Sequence, residues 1–153
     1  MNARLVLFGA FAFLAAFNAG TMTTLQLQHY GIYPFVGRDN FARYIQANNR
    51  AAVVPTILPA MLLLVTSVLL VIARPHFMNL GEAVAALALN IAQLASTFIW
   101  QRRLQAEMAA TGYDESKTRL LVSTNWIRTA GFLLQALLAT MILLQALAGL
   151  GVE

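Results

Sequence analysis

Four stretches of this sequence, residues 5–27, 51–73, 83–101 and 129–152, contain no Asp, Glu, Lys, Arg or His. About 20 apolar residues in a helix cover the roughly 30 Å of hydrocarbon in a bilayer. In that medium every backbone N–H and C=O must be satisfied within the segment, so a run of this kind reads as a spanning helix. Four such runs in 153 residues leave a loop up to Arg50, a tight turn after Arg74 and a loop up to Arg128. They leave no room for a separate soluble domain. We therefore expect one all-α domain over residues 1–153, a four-helix transmembrane bundle. The first run, preceded by Arg4, has some character of a secretion signal. It is longer than a usual signal core and three more spans follow it, so a retained helix is expected.

Only 10% of the residues are charged, against about a quarter in soluble domains. With no cysteine, disulfides and cysteine-ligated metal centres are excluded. The few charges mark sidedness. Arg38, Arg43, Arg50, Arg102, Arg103, Lys117, Arg119 and Arg128 fall on one side of the spans, and only Arg4 and Arg74 on the other. The positive-inside rule then places both longer loops in the cytoplasm and both termini outside, which in a bacterial inner membrane is the periplasm. The basic balance reads as topology and contact with anionic lipid heads, not as nucleic-acid binding.

The first loop carries Tyr30, Tyr33, Phe35, Phe41 and Tyr44 among Arg38, Asp39 and Arg43. Asp39 is a candidate cap for a helix starting near Asn40, on which Phe41, Tyr44 and Ile45 share one face. We expect a short amphipathic helix in the headgroup region, with a plain aromatic belt as the alternative. In the second loop Gly112-Tyr113-Asp114 is a turn signal. Flanking helical extensions, the second capped by Asp114 or Ser116, make a hairpin that protrudes from the membrane.

Polar side chains recur within the spans. Asn18, Thr21, Gln28 and His29 follow one stripe on the first; Asn90, Gln93, Thr97 and Trp100 or Gln101 on the third; Asn125, Arg128 or Thr129 and Gln135 on the fourth. Polar groups in lipid are costly, so these stripes should face one another. Ala12, Ala16 and Gly20, and likewise Ala88, Ala92 and Ser96, are candidate small-residue seams. Two readings fit the stripes. One is hydrogen-bonding glue. The other is a cytoplasmic-side polar pocket for a small amphipathic molecule, lined by His29, Tyr30, Asn90, Gln93, Trp100, Asn125, Trp126 and Arg128.

Catalytic machinery is scarce. The two histidines, His29 and His76, are expected on opposite membrane faces, so they cannot share a metal or a haem. The spans hold no carboxylate, and there is no phosphate-binding glycine loop or His-Glu-x-x-His. We expect no metal, no resident cofactor and no catalytic set; a bound quinone, pigment or lipid is compatible with the pocket reading.

Two segments carry a resemblance. His29-Tyr30, Pro34-Phe35-Val36-Gly37, Phe41, Tyr44 and Arg50, and then Thr124-Asn125-Trp126-Ile127-Arg128-Thr129, resemble a family of small bacterial four-span membrane proteins of unknown function. A looser similarity extends to anthrone-oxygenase-like membrane proteins. The resemblance implies the four-span fold and topology but no mechanism. It also implies histidines near Ile45, Asn48 and Gln105, and this chain has none there. The expected function is a non-catalytic subunit that packs against a larger respiratory or photosynthetic membrane complex, or in a homo-oligomer, among membrane lipids. The alternative is a membrane oxidoreductase or binder of an aromatic or quinone-like molecule.

Overall fold

The computed structural model describes residues 2–150. Every regular element among them is helical. Helix α1 (Ala3–Thr24) runs on through a π turn, Leu25–His29, and a 3-10 segment, Tyr30–Phe35. A 3-10 turn, Arg38–Asn40, leads into α2 (Phe41–Ala51). A second π turn, Val53–Ile57, opens α3 (Leu58–Ala73). Helix α4 (Leu80–Ser96), a third π turn, Thr97–Gln101, and α5 (Arg102–Thr111) follow one another directly, and α6 (Glu115–Leu150) ends the fold. Four rods are long and apolar enough to cross a membrane: Ala3–Phe35, Val53–Ala73, Leu80–Thr111 and Glu115–Gly149. The chain is an all-α integral membrane protein.

Local chemistry sets the breaks. Arg74 is extended (φ −64°, ψ 151°) because Pro75 disfavours helical geometry in the residue before it, and α3 stops there. Asn79 starts α4 with a reciprocal capping box. Its Oδ1 accepts from Glu82 N at 2.9 Å, and Glu82 Oε2 accepts from Asn79 N at 2.8 Å. Helix α5 ends at Gly112, whose φ of +87° is open to glycine.

Asp114, not Ser116, caps α6. Its Oδ1 accepts from Lys117 N at 2.9 Å and from the Ser116 hydroxyl at 2.6 Å. These two bonds hold its carboxyl below the ordinary carboxylate range. A depressed carboxyl pKa stabilises the folded turn above the unfolded value of about 3.9 and releases it as pH falls through the lowered value. The Lys117 amide is therefore expected to lose exchange protection, corrected for its intrinsic rate, only on acidification below that range. Asp114→Ala should lose the protection at all pH values. Equal protection in both proteins would show that the cap is not what orders this turn.

In the membrane region α1 packs on α3 and α6, and α4 packs on the same two. Chain direction alternates, so all four contacts are antiparallel and the bundle is an up-down square. The Phe77 ring meets Phe8 edge-on at 5.3 Å, which puts the α3–α4 turn beside the start of α1. We call this the terminal end and the opposite, arginine-rich one the basic end. His29 and His76 lie at opposite ends.

The buried faces keep most of the polar stripes, with Asn18, Asn90, Gln93, Gln101, Asn125, Thr129 and Gln135 inside, but depart from the small-residue seams. On α1 the inner face is Phe8, Phe11, Ala15, Asn18, Ala19 and Met22, continued by Gln26 and Tyr30. Gln28, Ala16 and Gly20 point outward. On α4 Ala83 and Ala86 are buried, while Ala88 and Ala92 are exposed. The bulky aromatic and Met positions fix the rotation of α1, and the small residues read as a seam lie about one position off it. On the third rod the buried series runs Asn90, Gln93, Ser96, Gln101, Leu104 and Met108. The five-residue step from Ser96 to Gln101 coincides with the π turn, which inserts one residue. Trp100 is thereby moved off the inner line, and Ser96 is buried in place of Thr97.

Helix α2 also departs from expectation. Asp39 sits inside the 3-10 turn, and no side chain caps α2. Phe41 and Ile45 do share a fully buried face, with Tyr44 at its edge. That face packs on Leu104 and Met108 of α5 and Leu121 of α6, together with Tyr30 and Tyr33. Gln46 Nε2 donates to Ala109 O at 3.0 Å, and Arg38 lies over the Tyr113 ring at 5.9 Å. The hairpin is not bare: the first loop folds onto it, and the two form a small apolar-cored lobe at the basic end.

Candidate functional site

The polar side chains of the bundle form two separate groups. The first is a knot midway along the spans. Asn90 Nδ2 donates to Ser67 Oγ at 2.6 Å, Gln93 Nε2 to Gln135 Oε1 at 3.2 Å, and Gln135 Nε2 to Ala86 O at 3.2 Å. Ser67 in turn donates to Leu63 O at 2.8 Å. Three helices, α3, α4 and α6, are joined here, and Gly131 permits it. A Cβ at Gly131 would lie 2.9 Å from Gln93 Cγ and 3.0 Å from its Nε2. Asn18 takes no part; its amide donates to Leu14 O in its own helix at 2.8 Å. Interhelical bonds of this kind contribute on average about 0.6 kcal/mol each in a bilayer.

The second group lies at the basic end, between α1 and α6. Gln26 Nε2 donates to Val122 O at 3.2 Å. Its Oε1 accepts from Asn125 Nδ2 at 2.8 Å. That orients Asn125 so that its Oδ1 faces Arg128, whose Nη1 donates to it at 3.2 Å. Tyr30, 4% exposed, lies close enough for its phenol and the Arg128 charge to act on each other. Gln101 stands to one side, bonded to Leu121 O at 3.3 Å and Thr124 Oγ1 at 3.0 Å.

The eight residues proposed as a pocket lining are thus not one constellation. Tyr30, Asn125 and Arg128 come together. Asn90 and Gln93 belong to the knot, about 15 Å farther along the bundle by helix rise. His29 is half-buried beside the lobe, with its ring 5.3 Å from Tyr33 and stacked 6.2 Å from Tyr44. Burial there pushes the Tyr44 phenol up. Trp100 packs against the lobe core, and Trp126 is 49% exposed on the outer surface.

Gln26 and Ser67 are the members that sequence reasoning missed. Gln26 sits one helical turn beyond Met22 and one before Tyr30, so the aromatic face of α1 carried the signal. Ser67 sits beside Thr66 in an otherwise apolar helix, and its bonds to Leu63 O and from Asn90 are visible only in three dimensions.

Charge completes the picture. Arg103 and Lys117 pair with Glu107, and Arg119 with Glu115, all on the surface of the lobe. Arg128 is half-buried and makes no ion pair among the described residues, and its Nε is buried without a hydrogen-bond partner. Among the described residues no three His, Cys, Asp or Glu side chains gather in a way that could hold a metal ion.

On the outer surface, Ala85, Ala88, Leu89 and Ala92 of α4 and Leu134 and Leu138 of α6 line an open apolar groove. No family model, curated protein or solved structure matches the chain.

Proposed function

We propose that this protein is a small non-catalytic subunit of a larger membrane complex, respiratory or photosynthetic, in a bacterial inner membrane, with its basic end in the cytoplasm. The observation that carries the reading is the groove between α4 and α6. Three alanines at helical spacing leave α4 without bulk on a face that the bundle itself does not cover. Spanning helices associate through such small-residue faces, because backbones can approach closely there. The interior supports the same reading. Amides of Asn90, Gln93 and Gln135 hold α3, α4 and α6 together, and those of Gln26 and Asn125 join the first rod to α6.

Purification from its native membrane in mild detergent, followed by mass spectrometry, tests this. A stoichiometric unlike partner is expected, and Ala88→Phe should release it while leaving the bundle's own thermal unfolding unchanged. Recovery only as a monomer, or only as copies of itself, would overturn the proposal.

A second reading has one observation in its favour. The cluster of Tyr30, Gln26, Asn125 and Arg128 at the basic end suits a binder of, or oxidoreductase acting on, an aromatic or quinone-like molecule. A guanidinium with an unused N–H is a donor for such a ligand's oxygen.

A further inference from the structure

The ion pairs among the described residues all lie on the exposed surface of the lobe. Arg103, Lys117 and Arg119, on the water-exposed lobe, each have a carboxylate within 3.2 Å. Surface pairs of that kind contribute little. Arg128, the one cation turned into the helix interface, has none among the described residues. Its one hydrogen bond among the described residues is to a neutral group, Asn125 Oδ1, at 3.2 Å. A guanidinium withdrawn from water without a counter-charge is costly, and such residues usually serve a partner.

The surroundings hold Arg128 in place rather than neutralise it. Gln26 is anchored on the Val122 carbonyl, fixes the Asn125 amide, and leaves Asn125 Oδ1 to grip one nitrogen of the guanidinium. Its Nε is buried with no hydrogen-bond partner among the described residues. Arg128 is also the last charge before the uncharged run that starts at Thr129. That is the level at which a bilayer presents its phosphates.

Resting on the second reading, that this cluster holds a ligand, we propose that Arg128 and Tyr30 form a seat for a phosphate oxyanion, carried by the headgroup of an anionic phospholipid. The guanidinium fork matches two phosphate oxygens, and the Tyr30 hydroxyl donates to a third. Bulk attraction of arginines to an anionic membrane differs from this in being neither stoichiometric nor dependent on one residue.

The test is native mass spectrometry of the delipidated full chain in detergent, titrated with phosphatidylglycerol. One retained lipid per chain is expected. Arg128→Gln should weaken it about tenfold or more, as loss of a charge-assisted contact does, while Arg119→Gln leaves it unchanged. Tyr30→Phe, which keeps the ring's packing, should weaken it severalfold and guards against a misfolded Arg128 variant. Inorganic phosphate should not displace the lipid; displacement would make the free anion the ligand and overturn the lipid assignment. A lipid adduct indifferent to both substitutions would overturn the seat itself. A short-chain quinone that binds through Arg128 where phosphatidylglycerol does not would overturn this proposal and leave the second reading standing. Failure of both probes would remove both.

Discussion

Phe41→Ala is expected to detach α2 from the basic end, at a cost of about 3 kcal/mol or more. Phe41 is fully buried, and its ring meets Tyr113 at 5.1 Å, Tyr33 at 5.5 Å and Tyr44 at 6.2 Å. The Tyr113 contact lies at the tip of the α5–α6 hairpin, the part of the fold farthest from the uncharged spans. There the alternative to burial is water, so the full hydrophobic effect operates. Within the spans a truncated side chain merely exchanges protein for lipid, and only packing is lost. Hydrogen exchange checks this directly. Amides of residues 41–51 should become labile in the variant, while those of α3 and the spanning part of α6 keep their protection. Unchanged exchange across α2 would mean that its own helical propensity or the membrane surface, not the lobe core, holds it.

Gly131→Leu is the second large effect. A side chain there must enter space held by Gln93, beginning with a Cβ 2.9 Å from Gln93 Cγ. The strain is expected to break the Gln93–Gln135 bond and open α4 from α6, costing about 1–3 kcal/mol. Gly20→Ala is the matched control. Nothing lies within 4 Å of a Cβ at Gly20, and glycine is a poor residue in a helix, so that substitution should be neutral or stabilising by up to about 1 kcal/mol. Thermal unfolding in one detergent compares the two. If Gly20→Ala proved the more damaging, α1 would pack through the Ala12–Gly20 line after all, and the helix rotation given above would be wrong.

That control also shows where sequence reasoning stopped. The line Ala12, Ala16, Gly20 satisfies the small-residue rule, and so does Ala15 with Ala19. In a rod this apolar, both faces look alike in composition. Only the partners, Phe8 meeting Phe77 and Gln26 meeting Asn125, choose between them. The π turns defeated the reading in a second way. A strict 3.6-residue period runs Asn90, Gln93, Thr97 and Trp100. Ser96 stands inside where Thr97 was expected, and the inserted residue at Thr97–Gln101 selects Gln101 over Trp100, the two alternatives the sequence left open. The face of α2 was legible as amphipathic, but its occupant was not. The same Phe41, Tyr44 and Ile45 suit a headgroup layer or a protein surface equally well.

Of the candidate site, Tyr30, Asn125 and Arg128 were legible as polar or amphipathic groups near one end of the spans. Their assembly, and its extension to Gln26, came from the way α1 crosses α6.

By itself, then, the sequence determined the class of protein: all helical, four spans, a turn at Gly112 and a concentration of arginines at one end. The physical reason is that hydrocarbon tolerates neither charge nor unsatisfied backbone, so the one-dimensional placement of charge is enough to specify where helices must run. The tertiary structure decided which face of each helix is inside, and which polar groups meet. That choice rests on packing and hydrogen-bond geometry between segments far apart in the chain, where lipid and protein ask for nearly the same residues. It also decided that one arginine, held by Asn125 and left without a carboxylate among the described residues, faces the interface between α1 and α6.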